Sequence, residues 1–434
     1  MSERRAIVVG GGLAGSEAAW ALANRGVKVT LHEMRPAMGT PAHQTGRLAE
    51  LVCSNSFKSV ELGNAHGLLK AELRLLGSLL LECADAARVP GGAALVVDRE
   101  VFSAGVDARI RAHPNISVST AEATELPAPG IVATGPLTSE RLAAVIAARL
   151  GTESLAFYDA IAPIVSDESL DHAPLSREEY EAFIGALGSA DQFHAHEFDA
   201  VPYFEGCLPV EEMARRGPET LRFGPMKPVG LRGPDGRRPW AVVQLRQENL
   251  AQSQFNLVGF QSRMRWPDQQ RVFRMIPGLE RAEFVRLGQI HRNTFVNSPL
   301  HLDAWYRLKP EPRLRLAGQI TGVEGYLESA ATGLAVALYL VLERAGEVPP
   351  LPPTTALGSL ARHLTESDPS HFQPANVNYG LFPELEAPVK KNERRAAYAE
   401  RARRDLAEWA AQRGLDFDDA PFASAPLAVA PAAS

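Results

Sequence analysis

Cysteine is scarce in this chain of 434 residues, which contains three: Cys53, Cys83 and Cys207. An odd and sparse count excludes the disulfide framework of a small secreted protein and predicts a reducing compartment. Lysine is scarce as well, because arginine supplies all but seven of the 45 basic residues. A planar guanidinium suits the recognition of phosphates and bases, although a genome-wide codon bias is the simpler explanation. Neither scarcity therefore identifies a partner.

Long apolar segments are absent from the sequence. The longest apolar stretch, residues 330–342, falls well short of the about 20 residues that a membrane-spanning helix needs. The N-terminus runs through a short apolar strand into glycines, which is unlike a secretory signal. We therefore expect a soluble cytoplasmic protein without a membrane partner. Its net charge of −6 provides no general attraction to nucleic acid, so a polyanion must be met by a local basic surface.

A glycine-rich motif, GGGLAG at residues 10–15, fits the pattern G-x-G-x-x-G between an apolar strand and an alanine-rich helix. Its glycines permit a tight turn, a close approach of the backbone to a pyrophosphate, and close packing of helix on strand. The helix N-terminus then attracts the phosphates. Glu33 follows the second strand, where a carboxylate accepts ribose hydroxyls. The residues predicted to bind the dinucleotide here are Gly10, Gly11, Gly12, Leu13, Ala14, Gly15 and Glu33.

The motif occurs once in the chain, which argues against a separate domain for NAD(P)H. A strand that ends before Gly135, and a late strand that ends before Gly318 and Gln319, are typical of folds that hold FAD. In such folds the N-terminus of the closing helix approaches the flavin. We therefore predict FAD as the resident cofactor, with these three residues in its site.

Residues from about 160 to 300 have a different character, with frequent turns and short β-like runs such as 240–245. This pattern predicts a mixed α+β insertion, not a continued doubly wound sheet. The late strand at 314–317 returns to the first pattern, so the fold class is α/β, a Rossmann-type FAD-binding domain interrupted by a smaller α+β insertion domain. We predict the FAD-binding domain over 1–160 and 301–420, the second part with a C-terminal helical extension, the insertion over 161–300, and a disordered tail over 421–434.

Four segments resemble the folate- and FAD-dependent tRNA (uracil-5-)-methyltransferases. Residues 318–329, GQITGVEGYLES, look like the FAD-closing motif of that family, of which the tRNA carboxymethylaminomethyl-uridine modifying flavoproteins carry a distinguishable version. Three further segments favour the methyltransferases: ELVCSNSFKS at 50–59, EGCLPVE at 205–211 and VGFQS at 258–262. The likeness runs from about residue 4 to residue 410.

The resemblance implies transfer of the one-carbon unit of 5,10-methylenetetrahydrofolate to C5 of the T-loop uridine (position 54) of tRNA. It implies FAD that is reduced by NADH or NADPH, and no obligate protein partner. It also adds Gly325 and Tyr326 to the cofactor site. An aromatic ring beside the closing glycines is expected to stack on the flavin or on the folate pterin, with ordinary core packing as the alternative.

The reaction that the resemblance implies requires a thiolate, because C5 of uracil is a poor nucleophile until a group adds at C6. Cys53 lies in a polar loop and Cys207 in a Gly-Cys-x-Pro turn, and both are predicted to be catalytic. Which of them attacks uracil stays open; the other would act as a base or handle the methylene group. Cys83 lies in an apolar helical segment, where a structural cysteine is usual.

Two basic segments are candidates for tRNA contact. Residues 215–246 carry a net charge of +6 and residues 390–405 a net charge of +4, although such runs are more often solvated surface. His194 and His196 lack a third ligand at metal spacing, so no metal is predicted. The alternative functions are a flavin oxidoreductase of a small metabolite, the related wobble-uridine enzyme, and a non-catalytic nucleotide sensor.

Overall fold

The computed structural model describes residues 4–40, 42–151, 155–160, 162–166, 172–192, 208–232, 236–288, 290–343 and 346–415. In chain order its strands are β1 (Arg5–Val9), β2 (Lys28–His32), β3 (Ser56–Ser59), β4 (Arg88–Val89), β5 (Ala94–Val97), β6 (Ile116–Ser119), β7 (Gly130–Val132), β8 (Leu155–Ala160), β9 (Ile164–Ser166), β10 (His172–Leu175), β11 (Ala241–Gln247), β12 (Phe255–Leu257), β13 (Glu283–Arg286), β14 (Ile290–Phe295), β15 (Arg307–Leu308) and β16 (Glu311–Leu316). The helices are α1 (Leu13–Ala23), α2 (Ala65–Leu75), α3 (Leu79–Ala86), α4 (Arg99–Ala112), α5 (Glu140–Leu150), α6 (Arg177–Ser189), α7 (Val210–Arg216), α8 (Thr220–Phe223), α9 (Trp266–Phe273), α10 (Ser298–His301), α11 (Tyr326–Leu342), α12 (Ala356–Glu366) and α13 (Arg394–Ala411).

The largest sheet of the described residues has the strand order β15-β16-β7-β1-β2-β6. The pairs from β16 to β6 are parallel, and β15 is antiparallel to β16. Helices cover both faces, which is why the strands read as short apolar runs. Val8 of β1 packs in the core with α1, α4 and α11, whereas Val9 packs on the opposite side with α5. The predicted α/β class with a parallel sheet is confirmed.

The N-termini of α1 and α11 lie at the same end of this sheet because glycines let the two helices approach closely. A Cβ atom on Gly333 of α11 would lie 2.2 Å from the carbonyl oxygen of Ala14 in α1. One on Gly15 would lie 1.8 Å from the carbonyl oxygen of Gly10. Side chains at either position would push the helices apart. The helix α1 begins at Leu13, inside the glycine motif, because the end of the motif forms its first turn.

The inserted part forms a separate antiparallel sheet in the described residues, with the order β10-β11-β12-β9-β13. One face packs on α6 and α9 in a core that includes Phe183, Leu245 and Phe273. The chain enters through β8 and returns through β14, and these two strands pair with each other along their whole length. The predicted α+β insertion into a Rossmann-type domain is thus confirmed, while its exact boundaries stay predictions.

A small sheet of the order β3-β5-β4 links the large sheet to the cysteine segment. Antiparallel pairing of Ser56 with Val96 brings the start of β3 beside the end of β5, and therefore Cys53 beside Arg99. Cys207 and the predicted tail at 421–434 lie outside the described residues. Within the described residues, no helix combines the length and the apolar character that crossing a bilayer would require.

Candidate dinucleotide and thiol site

A solvent-open cavity of about 980 Å³ lies at the carboxyl ends of β1, β2 and β7. This is where open parallel sheets bind their ligands. The lining includes nine of the twelve residues predicted for the cofactor: Gly10, Gly12, Leu13, Ala14, Glu33, Gly135, Gly318, Gln319 and Tyr326. The other three, Gly11, Gly15 and Gly325, are not among the lining residues. Their roles in cofactor binding stay predictions, like those of the nine.

The glycine motif forms a backbone cradle that fits a pyrophosphate. Gly10 has a φ of +102°, and a Cβ there would lie 2.4 Å from the carbonyl oxygen of Ala133. A Cβ on Gly12 would meet no protein atom within 4 Å, and this residue lines the cavity. Gly12 and Gly325 precede α1 and α11 without a capping side chain, so both helix ends leave N–H groups for a ligand. The residues present therefore fit the phosphates and the flavin end of FAD.

Glu33 lies at the carboxyl end of β2, as expected, but each of its carboxylate oxygens already accepts two hydrogen bonds. Oε1 accepts hydrogen bonds from the backbone N and Nε of Arg35, at 3.0 and 2.9 Å. Oε2 accepts from Nη2 of Arg35 at 3.1 Å and from the backbone N of Gly11 at 2.9 Å. Burial alone would raise the pKa of Glu33, but the hydrogen bonds and charge of Arg35 outweigh it and lower the pKa. A ribose hydroxyl would have to share or displace one of these four donors.

The hydroxyl of Tyr326 anchors the loop that carries Cys53. Its oxygen accepts hydrogen bonds from the backbone N of Cys53 at 2.6 Å and of Ser54 at 3.0 Å. The ring packs at a tilt against Phe57, with 6.0 Å between the centroids. Burial raises the pKa of Tyr326, so the hydroxyl stays protonated. The first residue of the closing helix therefore places the cysteine loop beside the cavity, and stacking on flavin or pterin stays a prediction.

Arg99 joins this loop to the insertion domain. Its Nη1 donates to the carbonyl oxygen of Leu51 at 2.8 Å, and its Nη2 donates to that of Cys53 at 3.1 Å. The same guanidinium binds both carboxylate oxygens of Glu248, just beyond β11. The side chain of Glu248 is only 2% exposed, so the pair is largely shielded from water. Bidentate pairing of this kind fixes both position and orientation.

Two further hydrogen bonds strengthen the connection. The Nδ2 atom of Asn55 donates to the carbonyl oxygen of Gln247 at 2.8 Å, and the backbone N of Leu250 donates to Oδ2 of Asp98 at 2.9 Å. The other oxygen of Asp98 caps α4, so one carboxylate holds two elements. We missed Arg99 and Glu248 in the sequence, because they are 149 positions apart and belong to no motif.

The three cysteines have different surroundings. Cys53 is partly exposed beside the cavity, and Cys83 is buried in α3, where burial raises its pKa to about 11. That environment disfavours the reactive thiolate, in agreement with a structural cysteine. Cys207 lies outside the described residues, as do His194 and His196. Within the described ranges, no group of three or more His, Cys, Asp or Glu residues is arranged to hold a metal ion.

A buried polar cluster supports the N-terminal end of α11. Glu328 is completely buried, and its Oε1 lies 3.4 Å from Nε2 of His66. Burial would raise the pKa of Glu328, but the charge of Lys58 and the contact with His66 lower it. The ammonium of Lys58 also donates to Asn376. The cluster thus connects the segment that follows Cys53 to the helix that closes the cavity.

A parallel sheet with a glycine cradle, interrupted by an antiparallel domain, defines a two-domain dinucleotide-binding protein of the FAD type. The protein family described as "Glucose inhibited division protein A" has a model that matches residues 5–347. Two crystal forms of Aquifex aeolicus GidA have the same fold, each with a TM-score of 0.64. One is 14% identical with coverage of 94% of this chain and 76% of that chain, the other 15% identical with coverage of 95% and 78%.

Three relatives carry the name "Methylenetetrahydrofolate--tRNA-(uracil-5-)-methyltransferase TrmFO". The Geobacter sulfurreducens protein is 55% identical over 93% of this chain and 98% of its own length. Those of Geotalea uraniireducens and Pelotomaculum thermopropionicum are 54% and 52% identical, over 94% and 93% of this chain and 99% and 97% of their own lengths. The chain belongs to the TrmFO group of the GidA family, and the resemblance found in the sequence is confirmed.

Replacing Gly12 with Val is expected to remove FAD and leave the protein folded. Gly12 has a φ of −71°, which valine can adopt, and the new side chain would meet no protein atom. It would occupy the space that we assign to the pyrophosphate. The purified variant should lack flavin absorbance, with its unfolding free energy changed by less than about 0.5 kcal/mol relative to the apo protein. The control Gly63→Val, also in open space but outside the cavity lining, should stay yellow; full flavin occupancy in Gly12→Val would contradict the cradle.

Replacing Tyr326 with Phe is expected to loosen the Cys53 loop. The ring remains, but the backbone N–H groups of Cys53 and Ser54 lose their acceptor. An unsatisfied buried donor costs about 1–3 kcal/mol, so amide exchange at these two residues should accelerate roughly tenfold or more. Hydrogen exchange measured on peptides that span residues 51–55 would detect it. Tyr379→Phe is the control, because that hydroxyl donates to Leu62 instead. Equal rates of amide exchange at residues 51–55 in the two variants would contradict the proposal that Tyr326 anchors the loop.

Proposed function

We propose that the protein transfers the one-carbon unit of 5,10-methylenetetrahydrofolate to C5 of a T-loop uridine in tRNA. FAD, reduced by NADH or NADPH, is the electron source, and the product is 5-methyluridine. The observation that supports this most is the placement of Cys53 at the dinucleotide cavity by Tyr326, which lines that cavity and holds the Cys53 backbone. The names of relatives that are 52–55% identical over nearly their full lengths support the same reaction.

The residues of the chain suit the parts of this reaction. The cradle at Gly10 and Gly12, together with the N-termini of α1 and α11, would hold FAD. When bound, FAD supplies the two electrons that a methylene group needs to become a methyl group. The thiolate of Cys53 or Cys207 adds to C6 of uracil; the S–C6 bond forms, and the C5–C6 π electrons move toward the oxygen on C4. C5 thereby becomes nucleophilic, with Cys207 slightly preferred as the attacking residue.

Exposed cations offer the local surface that tRNA would need. In the first basic segment Arg215, Arg216, Lys227, Arg232, Arg237 and Arg238 are exposed, and in the second Lys390, Lys391, Arg394, Arg395 and Arg404. Arg246, which ends the first segment, lies partly buried on β11 and belongs to a different surface. Neutralisation of phosphates by such side chains would make tRNA binding steeply dependent on salt.

Labelled methylenetetrahydrofolate is the direct test of the proposed function. The purified protein is incubated with unmodified tRNA, NADH or NADPH, and the folate labelled in its methylene carbon. The tRNA should gain labelled 5-methyluridine at the T-loop, and labelled S-adenosylmethionine should contribute none. Rapid flavin reduction without any change in the tRNA would instead favour an oxidoreductase that acts on a small metabolite.

The second test of the proposed function replaces the thiols of Cys53 and Cys207. Cys53→Ala and Cys207→Ala should each reduce methyl transfer to background while FAD binding and flavin reduction stay near normal. Cys83→Ala is the matched control; it should keep activity and lose about 1 kcal/mol or less of stability, because a small buried side chain is shortened. With 5-fluorouridine in the tRNA the covalent adduct should persist, and mass spectrometry would identify the attacking cysteine. An active protein that lacks both Cys53 and Cys207 would refute the thiol mechanism.

A further inference from the structure

One face of the insertion sheet is directed at the Cys53 loop. Strand register places Arg246 opposite Asn256, Asn256 opposite Ile164, and Ile164 opposite Arg286, in one row across four strands. Side chains alternate between the faces of a sheet. The register shift between Phe284 and Arg286 puts these two residues on opposite faces of β13, and Phe284 packs against the insertion core. Glu248, two residues beyond Arg246 and therefore on the same face, holds Arg99 at the Cys53 loop.

The positive charge near Cys53 exceeds the negative charge among the described residues. Both oxygens of Glu248 are taken by Arg99. The backbone of Arg286 pairs with Ile164, and its side chain makes no hydrogen bond or ion pair with a described residue. The groups that act on it electrostatically are Arg99, Tyr326, Cys53 and Glu248. Three guanidinium groups, those of Arg99, Arg246 and Arg286, therefore share the negative charge of Glu248.

A guanidinium in this position is costly to maintain without an anion. Arg286 is partly buried, and burial, followed by the charge of Arg99, lowers its pKa. Removing a cation from water without a partner is unfavourable. Arg286 is therefore in a position to bind an anionic group that forms or enters beside the Cys53 loop.

We propose that Arg286 donates hydrogen bonds to the pyrimidine oxygen that becomes negative when a cysteine thiolate adds to C6. In that step the S–C6 bond forms, the C5–C6 π bond breaks, and the electron pair moves through C4 to its oxygen. The guanidinium, which keeps its protons, stabilises the resulting enolate. Preorganised donors aimed at developing charge are a large source of catalysis. This inference rests on the proposed function and on a uracil that is bound beside the Cys53 loop.

The enolate suits this position better than an anion that the substrate already carries. Arg286 lies near the thiol of Cys53 and the hydroxyl of Tyr326, whereas cations such as Lys227 and Arg238 are exposed on the surface, where backbone phosphates would be met. A phosphate at Arg286 would have to enter the space beside the reactive sulfur that the base needs. The enolate charge appears on the base itself during the reaction, so no second group has to enter that space. Arg286 should therefore affect the rate of addition more than the affinity for tRNA.

The test compares Arg286→Gln with Arg281→Gln and Arg286→Lys in the FAD-loaded protein. Arg281 is exposed just before β13, so its replacement removes the same charge from the same domain. The measurements are the single-turnover rate of adduct formation with 5-fluorouridine tRNA and all co-substrates, the Kd for tRNA, and the rate of flavin reduction. Arg286→Gln should slow adduct formation about 100- to 1,000-fold, with the Kd changed less than about threefold and flavin reduction unchanged. Arg286→Lys should recover part of the rate, and Arg281→Gln should behave like the original protein.

Other results would contradict either the role of Arg286 or the proposed function. A rise in the Kd that accounts for the whole loss of Arg286→Gln would assign the residue to a phosphate and overturn the proposal. Equal rates for Arg286→Gln and Arg281→Gln would overturn it as well. If Arg286→Gln unfolds, Arg286→Lys is compared with the original protein instead. A folded Lys variant with an unchanged rate of adduct formation and a changed Kd for tRNA would contradict enolate binding. Failure of the unsubstituted protein to form 5-methyluridine or adduct would refute the proposed function before any variant is compared.

Discussion

The bidentate pair of Arg99 with Glu248 is the interaction on which the site depends. It is largely shielded from water, and its guanidinium also holds the carbonyl groups of Leu51 and Cys53. Removing either partner would leave a buried charge, at a cost of several kcal/mol. The geometry of the Cys53 loop is therefore linked to the presence of the insertion domain. Together with the hydrogen bonds of Asn55 and Asp98, this pair thus joins two separately packed cores at the candidate site.

The beginning of the fold could be predicted from sequence because its causes are local. Gly10 in the run GGGLAG has a positive φ that glycine adopts easily, and β1, α1 and β2 follow one another in the predicted order of strand, helix and strand. Glu33 was located correctly, but its bidentate bond with Arg35 was not foreseen. That bond depends on the path of the chain after β2, about which a periodic pattern carries no information.

The contacts that sequence analysis missed join residues that are far apart in the chain. Arg99 meets Glu248 across 149 positions, and Tyr326 meets Cys53 across 273. Tyr326 was predicted to act through its ring, whereas in the structure its hydroxyl also accepts hydrogen bonds from the Cys53 loop. A partly buried arginine at a helix start, such as Arg99 after Asp98, has no periodic signal, since surface arginines occupy the same kind of position. Only the pairing of β3 with β5 brings it to the cysteine.

The attachment of the insertion explains why its sheet can face the cavity. The strand β14 returns with its Thr294 N–H bonded to the carbonyl oxygen of Pro136 at 3.0 Å, in the loop after β7. Val296 then donates to Ile320 at 2.8 Å, in the segment before α11. Both acceptors follow parallel strands at their carboxyl ends, where the cavity lies. Backbone bonds are insensitive to side-chain identity, so the insertion keeps its position while residues on its inner face, such as Arg286, are available to match the substrate.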